Sequence, residues 1–405
     1  MQIQAQCCIA GGGPAGMMLG LLLARAGINV VVLEKHRDFL RDFRGDTIHP
    51  STLQLLHELG LLDAFLKLPH QKVSELQAHF GDLAFPVADF SRLPVRCPYI
   101  ALIPQWDFLD FLADHAATYK GFRLLMQAEA TNLIEEGGKV GGVRGTSAQG
   151  PFEVRAELVI GADGRHSTVR QQAGLEVADL GAPIDVLWFR LSRTPTDPEA
   201  TMARFGGGRI LVMLNRGDYW QCAFVIAKGS MEGIRSRGLE AFRARLATAA
   251  SFAADRMAEL ASWEQVKLLT VQVNRLREWC RPGLLCIGDA AHAMSPVGGV
   301  GINLAIQDAV AAANVLWRGD FSLRTLKTIQ QRREFPTRLT QAFQVGVQNF
   351  ILRRVLEDEA PLHPPLAVRL IASWPLLRRF PARMVGLGAR PEHIESPAAS
   401  AAVAA

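Results

Sequence analysis

The chain has 405 residues, 49% of them apolar, which suits two or three domains with buried cores. Its six cysteines (Cys7, Cys8, Cys97, Cys222, Cys280, Cys286) form no CxxC pair, which argues against a disulfide framework or a structural zinc site. A net charge of +5, spread along the chain, offers nucleic acid no basic tract.

The apolar run Met17–Ala26 ends in Ala-Arg-Ala, but no positive region precedes it and a glycine loop interrupts the approach, unlike a signal peptide. No stretch reads as a membrane span. A cytoplasmic, reduced protein is expected.

In chain order, Ile3–Ala10 reads as a strand, Met17–Ala26 as a helix stopped by Gly27, and Ile28–Leu33 as a second strand closing at Glu34. Strand, helix and strand within about thirty residues make a parallel βαβ unit. The second half of 41–60 is helical by its leucine spacing. Residues 73–98, with Pro86, Pro94 and Pro98, look irregular, an excursion from the first domain. Gln105–Tyr119 returns to a helical pattern. Short strands follow over 124–154, then a buried strand at Leu158–Gly161. Antiparallel strands are expected at Val186–Leu191, Arg209–Asn215 and Tyr219–Ile226, with a surface helix pair over 237–260. Leu284–Ile287 is another buried strand, Gly301–Leu316 a long helix, and the last eighty residues mostly helical with a frayed tail from Ser396.

The expected organisation is a Rossmann-like α/β dinucleotide fold with an inserted, mostly antiparallel β-sheet and a C-terminal helical segment. Its boundaries are 1–72, 101–180 and 276–340 for the dinucleotide domain, 73–100 and 181–275 for the inserted one, and 341–405 for the C-terminal helices.

Gly11-x-Gly13-x-x-Gly16 lies between the first strand and helix. Gly11 permits the turn, Gly13 lets a pyrophosphate approach the backbone, and Gly16 lets the helix sit close to the strand. The helix N-terminus, Pro14 and Ala15 included, offers N–H groups to phosphate. Glu34, with Lys35 beside it, suits ribose hydroxyls and repels a 2′-phosphate. Alone, this loop fits NAD as well as FAD. A second motif, Gly288-Asp289, follows the strand at 284–287 and continues through Pro296, Gly298, Gly299, Gly301, Ile302 and Asn303 into a helix. A third, Gly161-Ala162-Asp163-Gly164 with Arg170, is by pattern alone a strand-to-helix turn.

In this order and at these separations the three motifs resemble the FAD-dependent aromatic hydroxylases of the para-hydroxybenzoate hydroxylase fold, over about residues 5–340 and least over 175–270. The resemblance implies that Asp163 serves both FAD and the nicotinamide cofactor, that Asp289 contacts a ribityl or ribose hydroxyl, and that Arg44 reaches the pyrophosphate. It implies that Gln105 bonds the FAD and that Pro296, Gly298 and Gly299 line the flavin ring. It further implies NADH or NADPH as a transient co-substrate without its own domain, O₂, and a flavin C4a-hydroperoxide that hydroxylates an electron-rich aromatic molecule.

No tyrosine aligns with a phenol-activating relay, and the halogenases' Gly-Trp-x-Trp-x-Ile-Pro pattern is absent. The substrate should lie between the ring and the inserted sheet, with Trp188, Arg190, Met213 and Trp220 as candidates. Alternation puts Trp188 and Arg190 on one face. A reductase or dehydrogenase of a lipid-like substrate is the alternative. Arginines among leucines in the C-terminal helices are compatible with a membrane surface, but packing on the parent domain or on a homodimer mate is the commoner arrangement.

Overall fold

Five parallel strands build the first sheet in the spatial order 284–286, 150–161, 2–10, 30–34 and 122–126. This is a computed structural model, which describes residues 1–40, 47–81, 83–357 and 364–399. The strand Val30–Glu34 is buried on both faces, as an unbroken apolar run requires in a parallel sheet. The helix Pro14–Arg25 has ten consecutive buried residues, Ala15–Ala24, because it is wedged between the sheet and the helices Gly301–Leu316 and Gln105–Ala117. The strands expected over 124–154 form a meander, 128–136 with 139–147 with 150–161. Its last strand runs on for 12 residues, so the expected strand at 158–161 is the inner end of a longer one.

The second sheet has seven strands in the order 267–269, 184–192, 219–227, 209–215, 202–206, 75–80 and 83–89. The last two correct the expectation that 73–98 is irregular. Pro86 is a breaker by type, but it sits on the edge strand, opposite Gln77 and next to a register shift, where a missing N–H costs the ladder little.

One face of this sheet carries Phe189, Met202, Met213, Trp220 and Cys222 under the helices Met231–Ser236 and Leu239–Ala249 and the 3₁₀ turns of Ser251–Glu259. Phe242, Leu246 and Met257 are buried there, so the expected surface helix pair is part of a second core. Within it, Arg256 donates to both Asp197 oxygens, at 2.5 and 2.8 Å, and the Trp220 indole N–H donates to the same carboxylate at 2.8 Å. Burial would raise the Asp197 carboxyl, but these bonds hold it well below the usual range.

Beyond the helix Gly301–Leu316 runs the 25-residue helix Leu323–Val347, then a π-turn at Gln348–Leu352 and the helices Arg353–Glu357, Leu366–Ser373 and Arg379–Gly386. The segment Val297–Leu316 is long and apolar enough to cross a membrane, contrary to the expectation from sequence, yet 78% of it is buried inside the fold. Residues 396–399 are not frayed. The Arg25 guanidinium donates to the Ser396 carbonyl at 2.8 Å, and the Ala399 N–H donates to the Arg25 carbonyl at 2.8 Å. All six cysteines are buried and unpaired.

Candidate functional site

The three glycine-acid motifs are far apart in sequence and adjacent in space. Parallel register pairs Ala10 with Leu33 on one side and with Gly161 on the other, and Gly161 with Cys286. Each motif therefore leaves the carboxyl end of a neighbouring strand, where open α/β sheets bind ligands.

The glycines of the first loop are needed for different reasons. Gly11 has φ +107°, and a Cβ there would lie 2.3 Å from the Ala162 carbonyl oxygen. A Cβ on Gly16 would lie 1.9 Å from the Gly11 oxygen, so only glycine lets the helix start against the strand. A Cβ on Gly13 would meet nothing within 4 Å, so its open side is not required by the fold. The helix that begins at Pro14 has no side-chain cap, which leaves its first N–H groups and positive end for an anion. Glu34 is buried behind the loop, accepting from the Gly12 N–H at 3.2 Å and the His36 N–H at 2.9 Å. Lys35 is exposed beside it. These residues fit a dinucleotide pyrophosphate with an adjoining ribose.

Gly288 has φ +58° and fits between Ala15 and Ala305, where a Cβ would come within 3.2 and 3.1 Å of their methyls. Its N–H donates to Asp308 at 3.1 Å. Asp289 is part-exposed and takes Arg165 at 3.3 Å. Arg170 reaches the Ala290 carbonyl at 3.2 Å and the Arg165 carbonyl at 2.7 Å, clasping the second and third motifs together. Asp163 has a local role: its carboxylate accepts from the Ser167 hydroxyl at 2.5 Å and the Val169 N–H at 3.0 Å, ordering the short helix Thr168–Gln172. Burial raises its pKa against those bonds. Arg165 stands inside the third motif, yet sequence pattern does not mark it as a site residue.

Pro296–Gly299 turns sharply, with Gly298 at φ +78° and Gly299 at φ +62°. The helix from Gly301 begins there, also without a side-chain cap. Asn303 is buried and ties this helix start to the strand Thr47–Ile48 and to the helix Pro50–Glu58 after it. Its Oδ1 accepts from the His49 N–H at 2.9 Å and the Thr52 hydroxyl at 2.7 Å, while its Nδ2 donates to the Thr47 carbonyl at 3.2 Å. The Thr47 hydroxyl donates to the Gly299 carbonyl at 3.0 Å. Ile302 is partly buried against the first core. Arg44 lies outside the described residues. Gln105 opens its helix three residues after Leu102, which pairs with Thr47.

Sequence reasoning missed the side chains that hold this turn. Gln344 accepts from the Ser295 N–H at 3.1 Å and donates to the Ser295 and Val297 carbonyls at 2.9 and 2.8 Å. Gln341 donates to the Ala293 carbonyl at 3.2 Å, and Gln348 to the Ser295 hydroxyl at 2.5 Å. Their i, i+3, i+7 spacing was the available signal. His49, fully buried, has its Nδ1 at 2.7 Å from the Val385 carbonyl, and burial lowers its pKa to about 4.

Val297 joins the apolar cluster that includes Val186, Ala223 and Val225 on one face of the second sheet, against which Trp188 and Val212 also pack. Trp188 lies opposite Ala223, and Arg190 opposite Gln221, on that same face. The Arg190 guanidinium stacks 4.4 Å over the Tyr219 ring. Met213 and Trp220 are not brought to it. They are fully buried on the opposite face beneath the helices, because alternation assigns them to the row of Phe189 and Cys222.

The family model for an FAD binding domain matches residues 4–341. The chain is 34% identical over 385 residues to a 6-methylpretetramide 4-monooxygenase of Streptomyces rimosus, covering 92% of this chain and 91% of that protein. It is 28% identical to an uncharacterized aromatic compound monooxygenase of Bacillus subtilis, over 78% of this chain and only 62% of the relative. A p-nitrophenol 4-monooxygenase structure from Pseudomonas putida superposes with TM-score 0.77 at 20% identity, covering 96% of this chain and 99% of the other.

Proposed function

From the premise that this chain belongs to the FAD-binding-domain family of flavin monooxygenases, we propose that it hydroxylates an electron-rich aromatic molecule with NADH or NADPH and O₂, in the cytoplasm. The observation that carries the reading is the convergence of the three glycine-acid motifs at one end of the sheet, with Val297 of the Pro296–Gly299 turn in an apolar cluster shared with one face of the second sheet. We take the inserted sheet, with its 75–89 hairpin, as the substrate domain.

In this reading the Gly11–Gly16 backbone and the Pro14 helix end bind the pyrophosphate, Glu34 the adenosine ribose, and Asp289, steadied by Arg165, a ribityl hydroxyl. Arg44, Lys35 and Gln105 lie around the same cofactor. Asp163 contributes by shaping its loop, since its carboxylate oxygens bond Ser167 and Val169. Bound FAD supplies two-electron transfer and oxygen activation. The uncapped start of the Gly301 helix stabilises negative charge next to the glycine turn. The glutamines of the long helix keep that turn in place.

Trp188 and Arg190 are proposed to orient the substrate; a cation stacked on Tyr219 suits a phenolate or an acidic group. The test is NADH and NADPH oxidation by purified yellow protein, followed with oxygen uptake and product mass. The 6-methylpretetramide in the relative's name is the first compound to try. Hydroxylated product matched to oxygen consumed is the expected result. Substrate-dependent turnover without oxygen would instead point to a reductase or dehydrogenase.

A further inference from the structure

The C-terminal helices leave a large apolar surface uncovered. The helix Leu366–Ser373 seats Val368 against Ala78 and Phe80 of the edge hairpin, while Leu366 and Leu370 face outward. Trp374, Leu376, Leu377 and Phe380 are exposed in the turn and at the start of the helix Arg379–Gly386, whose Ala382 is buried. Leu366, Trp374, Leu376 and Phe380 are 69, 63, 70 and 64% exposed, against near-complete burial for most leucines and phenylalanines elsewhere in the fold. Single exposed apolar residues need no explanation, but six within the fifteen residues 366–380 do.

Charge decides what covers it. Residues 364–390 contain five arginines (Arg369, Arg378, Arg379, Arg383, Arg390) and no lysine, aspartate or glutamate. Arg369, Arg379 and Arg383 are exposed beside the apolar side chains. A second copy docked face to face would bring two such clusters together without counter-charge. A bilayer carrying anionic headgroups satisfies both halves: the apolar side chains enter the acyl boundary, the tryptophan sits at the headgroup level, and the arginines pair with phosphate.

We propose that this face docks on an anionic lipid surface. It lies one helix away from the proposed ring-lining turn. A Cβ on Gly298 would lie 3.4 Å from the Val385 side chain of the same terminal helix, and the Val385 carbonyl bonds His49. An apolar aromatic substrate dissolved in the bilayer would thus be presented beside the cleft; only this last consequence rests on the proposed reaction.

The experiment is flotation of the intact protein with phosphatidylglycerol or phosphatidylcholine vesicles, at low and high salt. Trp374 is the one exposed tryptophan of seven, so its emission reports insertion. Expected are flotation with phosphatidylglycerol only, weakening with salt, and a blue shift absent from Trp374→Phe. Arg379→Glu/Arg383→Glu should bind about thirtyfold more weakly or worse, at about 1 kcal/mol per basic residue near such a surface, and Leu376→Ser/Phe380→Ser should lose binding. Unchanged near-UV circular dichroism shows that the variants are folded. No flotation, equal flotation of the variants, or a lipid-free dimer that buries Trp374 overturns the proposal.

Discussion

The two sheets of this molecule use their residues in opposite ways. In the parallel sheet the candidate site is made largely of backbone: Gly11 and Gly16, where a Cβ would overlap backbone atoms, and Gly288 and Gly299, at positive φ against close neighbours. In the inserted sheet the proposed substrate contacts are side chains, and the question is which of two apolar faces they occupy. Glycine requirements at fixed spacing show directly in a sequence. Face assignment does not, because Trp188 and Trp220 are equally large and apolar and differ only in which layer covers them.

The sharpest way to break this contrast compares two glycines of one loop. Gly16→Val should remove bound FAD and lower apoprotein stability together, since its Cβ would meet a backbone oxygen at 1.9 Å. Gly13→Val should weaken FAD by about a hundredfold or more, ~3 kcal/mol, and change the apoprotein melting temperature little, since a Cβ there meets no protein atom within 4 Å. Flavin absorbance and calorimetry of the apo forms check both. A Gly13 variant that stays yellow would mean that no cofactor crosses the loop there.

Next in size is the buried pair under the second sheet. Asp197→Ala strands the Arg256 charge and should cost about 3–5 kcal/mol, read by denaturant unfolding. The carboxyl is held below its ordinary range in the fold, so its contribution is present above about pH 4 and lost as pH falls below that. The acid-unfolding profile of the variant should be correspondingly flatter.

His49 works in a different window. Its folded pKa of about 4 lies below the ordinary 6.5, so its contribution is full above pH 6.5 and falls away towards pH 4. The total is about 3 kcal/mol, and His49→Gln should remove that slope.

The smallest effects test the face assignment itself. Met213→Ala should cost about 2–3 kcal/mol of stability and leave KM unchanged. Trp188→Ala, at a part-buried position, should cost less stability than Trp220→Ala and raise KM several-fold. The reverse pattern would show that the faces have been exchanged.

Much of the fold was legible. The expected helix over 301–316 and the strand leading to Gly288 stand where periodicity put them. The edge hairpin was hidden because Pro86 reads as a breaker unless its strand is known to be an edge. The glutamine row was hidden because buried amides that bond backbone carbonyls resemble polar surface positions in one dimension. Asp163 was recognised as part of a motif, but its bonds to Ser167 and Val169 required coordinates.

The register that joins Ala10, Gly161 and Cys286 also constrains how the protein is born. The glycine loop leaves the ribosome early, but the strand that completes the sheet beyond 150–161 ends at residue 286, and the tail that braces the first helix follows only at 396–399. A nascent chain halfway through synthesis carries an apolar βαβ unit with no finished cleft, bound to wait on contacts of long sequence separation. Flavin supply during expression should therefore govern soluble yield late in translation, and a truncation that keeps the glycine loop but ends before residue 284 should need chaperones rather than cofactor.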